Sequence, residues 1–104
     1  MTRSTSPTLT VIYWRDIPAE VIATAGRIRH KAELSQRFQQ AIDRAAMHTG
    51  RLGADEYLDD WRKEMSVIDG DLQQAAATAA AALEDRYSIE KLNDLVDRGG
   101  LEEQ

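Results

Sequence analysis

The order of patterns along the chain predicts an α+β fold: a small antiparallel sheet of about three strands over residues 8–34, followed by about four helices. Three observations carry this. Thr8–Trp14 is dense in β-branched and aromatic residues. Pro18 and Gly26 break residues 15–34 into short pieces. From Ser35 onward, apolar residues recur at helical spacing, with capping residues ahead of them and glycines behind.

In Thr8–Trp14, alternation puts Leu9, Val11 and Tyr13 on one face and Thr10, Ile12 and Trp14 on the other. Arg15-Asp16-Ile17-Pro18 is expected to end the strand, because Pro18 has no N–H for a ladder and biases Ile17 to extended geometry. In Ala19–Leu34, Val21, Ile22, Ala25, Ile28 and Ala32 would also fit one face of a helix. The β-branched Val21, Ile22 and Thr24 and the mid-segment Gly26 weigh against a helix. The reading adopted is a hairpin of Glu20–Thr24 and Arg27–Glu33 turning at Ala25-Gly26. Its second strand groups Ile28, His30, Ala32 and Leu34 on one face and Arg27, Arg29, Lys31 and Glu33 on the other.

Ser35 can cap a helix running to about Thr49, with Phe38, Ala41, Ile42, Ala45 and Ala46 on its stripe and Gly50 as its stop. After an Arg51-Leu-Gly53 turn, Asp55 can open a second helix with Tyr57, Leu58, Trp61, Met65 and Ile68 along one side. Asp69-Gly70-Asp71 interrupts it. A third helix, to about Tyr87, carries Leu72, Ala76, Ala79 and Leu83 on one face. Its alanines give high propensity and little area to bury, so it either packs closely on a neighbour or reaches out for a partner. Ser88 can cap the last helix, with Ile89, Leu92, Leu95 and Val96 as its stripe, before Gly99-Gly100.

The 104 residues suit one domain, expected over 8–100, between a frayed polar terminus (1–7) and a short tail (101–104). No run approaches the ~20 apolar residues of a membrane span, and the start lacks the apolar core of a secretory signal. A cytoplasmic location without a membrane partner is the expectation. Cysteine is absent, which excludes disulfides, thiolate catalysis and cysteine-ligated metal.

Charge is segregated. Residues 1–52 hold eight Lys/Arg and four Asp/Glu (+4), residues 53–104 five and fourteen (−9), for a net −5. The acidic half argues against a nucleic-acid partner for the whole chain. Two readings follow: the halves attract each other inside one fold, or the basic half offers an anion-binding face. Neither His30 nor His48 has a second ligand at i+3 or i+4, and Asp69-Gly-Asp71 lacks the rest of a calcium loop. No nucleophile elbow or phosphate-cradling glycine loop is present. The expectation is a protein that is not an enzyme and holds no metal or other cofactor.

The best candidate binding face is Trp14, Arg15, Arg27, Arg29 and Lys31. Three of these cations alternate along one strand, Arg15 joins them from the neighbouring strand, and Trp with Arg is a favoured interface pairing. The plainer reading is the wet face of a half-buried antiparallel sheet. Trp61 and Tyr57 read as core.

Tyr13-Trp14-Arg15-Asp16-Ile17-Pro18-Ala19, then Gly26-Arg27, then Leu34-Ser-x-Arg37-Phe38-Gln39-x-Ala41-Ile42-Asp43-Arg44-Ala45-Ala46-Met47, and finally Tyr57-Leu58-x-x-Trp61-Arg62, resemble the small bacterial domain family labelled virulence factor. That family is similar to the middle region of conserved virulence factor C-type proteins. The resemblance covers roughly residues 8–65. It implies a module found beside an iron–sulfur scaffold domain and helical repeats, hence an accessory, protein-binding role. With no cysteine, this chain is not expected to carry such a cluster. The resemblance also implies an alternative: an accessory subunit of folate- or corrinoid-linked methyl transfer, binding an anionic cofactor or partner on the basic face.

Overall fold

Strand β1, Thr8–Trp14, lies at the centre of the protein's architecture, because both of its edges are paired. The computed structural model describes residues 7–50 and 54–102. Residues 1–6, the turn expected at 51–53 and residues 103–104 lie outside the described set.

On one side β1 pairs antiparallel with β2, Ile17–Ala25. β2 in turn pairs with β3, Ile28–Glu33. The hairpin turns at Gly26-Arg27, one residue later than the sequence suggests. A two-residue loop wants its first residue at positive φ; Gly26 supplies it (φ 62°), so Ala25 stays in the ladder opposite Ile28. β1 ends at Trp14 as expected, but β2 already begins at Ile17, so Pro18 lies inside the sheet. It sits near the start of β2, opposite Tyr13, where the β1–β2 register shifts between Ile12 and Tyr13. A strand start beside a bulge is a place where a missing N–H costs little.

The main correction concerns residues 61–67. In place of one long helix from Asp55, a short α2, Ala54–Asp59, gives way to β4, Trp61–Val67. The sheet therefore has four strands rather than three, in the order β3-β2-β1-β4, all antiparallel. Two forces decide this. Asp59 and Asp60 put negative charge where a helix C-terminus already presents carbonyls. The second edge of β1 also offers a full unbroken register, from Thr8↔Val67 to Trp14↔Trp61. Leu58 and Met65, read as parts of a core stripe, are 64% and 66% exposed.

The remaining helices fall where the periodicity places them. α1 spans Gln36–Thr49 and buries Phe38, Ala41, Ile42, Ala45 and Ala46, with left-handed Gly50 at its C-cap. α3 spans Leu72–Arg86, and its N-cap Asp71 accepts a hydrogen bond from the Gln74 N–H. Its alanine face packs inward on β2 and β3, burying Ala76 and Ala80. α4 spans Ile89–Asp97, capped by Ser88, and packs on α1 through Leu92, Leu95 and Val96; Ile89 stays exposed.

One apolar core joins Trp14, Ile17, Val21 and Ala23 of the sheet to Phe38 and Ile42 of α1, Leu83 and Tyr87, and Leu95 of α4. No helix among the described residues is long and apolar enough to cross a membrane.

Candidate functional site

Two constellations of polar residues stand out, and they behave differently. The first surrounds the Arg15-Asp16 turn between β1 and β2. Among the described residues, Arg15 is the non-glycine one with a positive φ, 55°, a backbone state that costs an L-residue about 1–2 kcal/mol. Its surroundings hold it there. The Arg15 N–H donates to the Asp60 carbonyl (2.9 Å), and the Asp16 N–H to the Gly100 carbonyl (2.8 Å). The Arg15 guanidinium is nearly buried; it donates to the Gly99 carbonyl (2.9 Å) and pairs with Asp60 (3.3 Å). Arg62 of β4 reaches back from the other side, donating to the Arg15 carbonyl (2.8 Å) and pairing with Asp16 (3.0 Å) and Glu64. The second Asp16 oxygen accepts the Glu102 N–H at 2.7 Å.

Aromatic rings close the same cluster. Trp14 is fully buried, donates its indole N–H to the Tyr57 carbonyl (3.1 Å), and stacks on the Tyr57 ring, which meets Trp61 edge-on. Arg62 lies 4.3 Å over the Tyr13 ring. Burial raises the Tyr13 phenol above its ordinary value, and the Glu64 carboxylate adds to the effect. Burial pulls the Arg62 guanidinium down, but its bonds to Glu64 and Asp16 outweigh this, so its net shift is upward. The cluster is a clasp. It ties the β1–β2 turn to β4 and to the turn after α4, and its donors and acceptors point at the chain's own backbone.

A second tie links α1 to the end of α3. Arg37 donates to the Glu84 and Tyr87 carbonyls (2.9 and 3.0 Å) and pairs with the Glu84 carboxylate (3.0 Å), which also accepts from the Ser35 hydroxyl (2.9 Å). With Arg15–Asp60, this pairs cations of the basic first half with carboxylates of the acidic second half, while Arg62–Asp16 runs the other way.

The other constellation is the open face of the sheet. The registers align three rows across all four strands: Arg29–Thr24–Thr8–Val67, Lys31–Ile22–Thr10–Met65 and Glu33–Glu20–Ile12–Lys63. Met65 and Val67 are 66% and 73% exposed. Lys31 pairs with Glu20 (3.4 Å) and Glu33 (3.9 Å).

The five residues singled out in the sequence are therefore not brought together. Arg29 and Lys31 share the open face, and Arg27 sits in the turn just beyond it. Arg15 lies at the opposite end of β2, inside the clasp, and Trp14 is core. Lys63, Met65 and Val67 complete the face and were missed because their segment was read as helix. Val67-Ile68, a β-branched pair after Trp61, was the available signal. On the other side of the sheet, Leu9 and Ile68 with Ala75, Ala79 and Ala82 of α3 line a shallow groove of about 520 Å³, with Asp69 and Asp71 along it.

Residues 12–96 match the sequence profile of a family described as Virulence factor. The chain belongs to the virulence factor domain family. The match runs from within β1 through most of α4, so the helical half, less distinctive by motif, is part of the family's unit. Comparison with curated proteins and with solved structures gives no match. The signature string Tyr13-Trp14-Arg15-Asp16 falls on the clasp, where its residues serve the fold.

Proposed function

We propose that this virulence factor domain is a non-catalytic protein-binding module, and that it takes an acidic, partly apolar segment of another protein on the open face of its sheet. One observation carries the reading. Exposed Met65 and Val67 stand in rows that end in cations: Lys31 and Arg29 across the sheet, with Lys63 beside them on β4. An apolar patch on one edge strand, with basic side chains across the sheet from it and Lys63 beside it, suits a partner that brings apolar contacts and carboxylates. The clasp supports the reading from the other side, since its charges are already engaged with the chain's own backbone and with one another.

The test is capture from the protein's own cell lysate with Arg27→Glu/Arg29→Glu beside the wild type. These side chains are exposed, so the melting curve should stay within a degree or two. Partner capture should be lost. A folded double variant that captures the same protein at the same yield refutes the assignment of this face.

A further inference from the structure

We infer that the outer edge of β4 pairs antiparallel with the same edge of a second copy of this chain, about a two-fold axis at Met65. The inference does not depend on the partner reading above; it rests on where the backbone groups of β4 point. At one end of the β1–β4 ladder the Ile68 N–H donates to the Pro7 carbonyl (3.0 Å), and at the other the Arg15 N–H donates to the Asp60 carbonyl (2.9 Å). The register between them has no break. Residues in an antiparallel ladder alternate in the side to which they aim their N–H and C=O. Arg62, Glu64 and Ser66 therefore spend theirs on β1, while Trp61, Lys63, Met65 and Val67 aim theirs away from the sheet.

Beyond Lys63, that outward row lacks the usual protections of an edge. β4 contains no proline and no bulge, and its last three residues are Met65, Ser66 and Val67, without charge. The opposite edge of the sheet, β3, alternates Arg29, Lys31 and Glu33. On β4, Met65 and Val67 are also among the most exposed large apolar side chains of the described residues.

Charge selects the register. An axis at Lys63 sets two lysines opposite each other, and an axis at Glu64 sets two glutamates opposite each other; both are unfavourable. An axis at Ser66 leaves only Met65–Val67 pairs within the strand. An axis at Met65 sets Met65 against the partner's Met65, Lys63 against the partner's Val67 and Glu64 against the partner's Ser66. No like charges meet, and the three hydrogen-bonded pairs supply on the order of six backbone bonds. It also keeps the pairing away from α2, which leads directly into Trp61. Two open sheet faces then join into one, with Met65 and Val67 at its middle.

The chain has no cysteine, so Met65→Cys introduces a sole thiol. Cα atoms in a hydrogen-bonded antiparallel pair lie about 5.5 Å apart, within disulfide reach. Mild oxidation of Met65→Cys should give a covalent dimer. Lys63→Cys should not, because four residues of stagger separate it from its own counterpart by roughly 13 Å. Light scattering at high micromolar concentration should show a wild-type dimer. Met65→Pro removes an N–H that β1 does not use and should give a monomer with its melt retained. Should that variant misfold, Val67→Lys decides: it opposes Lys63 twice per dimer and should weaken association roughly tenfold. A wild type that stays monomeric, or a dimer indifferent to Val67→Lys and cross-linked equally through positions 63 and 65, overturns the inference.

Discussion

Replacing Arg62 by alanine tests the clasp at its most connected residue. The side chain is 39% exposed, yet it donates to the Arg15 carbonyl (2.8 Å), pairs with Asp16 (3.0 Å) and covers the Tyr13 ring at 4.3 Å. A charged donor on a half-buried carbonyl contributes about 1.5 kcal/mol. The partly exposed ion pair adds about 0.5, and the cation over the ring about 0.5–1. Arg62→Ala should therefore cost about 2–3 kcal/mol in urea unfolding, and lower Tm by roughly 8–15 °C for a domain of this size. Arg62→Lys keeps the charge without the planar fork, and should recover less than half of the loss. In a double-mutant cycle with Asp16→Asn, coupling of at least about 0.5 kcal/mol is expected, because the two side chains pair directly at 3.0 Å. An Arg62→Ala variant destabilised by less than about 0.5 kcal/mol would refute the claim that this cluster holds the turn, β4 and the C-terminal turn together.

Three further outcomes follow from other parts of the fold. Gly100 has φ +91°, and a Cβ there would lie 3.0 Å from the Trp14 ring; Gly100→Ala should cost about 2–3 kcal/mol, read by chemical denaturation. Ala76 is 2% exposed against the sheet, so Ala76→Leu should cost about 1–3 kcal/mol while exposed Ala81→Lys stays within about 0.5; equal effects would mean that α3 does not pack on this face. Burial, ahead of the Glu64, Asp43 and Glu102 carboxylates, raises all three tyrosines, Tyr13, Tyr57 and Tyr87, above 10.0. A raised folded pKa contributes stability that is complete below the unfolded value and is lost as pH climbs through the folded one. Tm should thus hold up to about pH 10 and fall above it, with phenolate absorbance at 295 nm appearing late; an unshifted titration with no alkaline loss would contradict this.

The helices α1, α3 and α4 were legible because they carry their own signals: Ser35 and Ser88 in front of α1 and α4, Gly50 behind α1, and apolar residues at i, i+3 and i+4. The β2–β3 hairpin was legible for the same local reason, with Gly26 supplying a turn that few residues tolerate. β4 was not. Tyr57, Leu58, Trp61 and Met65 fit a helical stripe, and what makes residues 61–67 a strand is the distant edge of β1, which no local window contains. The site suffered in the same way. Alternation placed Arg29 and Lys31 on one face correctly, but only the registers show that Lys63, Met65 and Val67 share it. Arg15 and Trp14 were misread because a hairpin turn 43 residues before Tyr57 and 84 before Gly99 gives no sign that it will be covered by both.

The central claim is a division of labour: the signature turn holds the fold, and the open sheet face meets the partner. Side-by-side capture from lysate by wild type, Arg27→Glu/Arg29→Glu and Arg15→Lys, each below its melting temperature, tests it most directly. The account predicts that the glutamate variant loses the partner while melting like wild type, and that Arg15→Lys melts earlier yet captures the same partner. Capture retained by the glutamate variant, or lost by a folded Arg15→Lys, would contradict it.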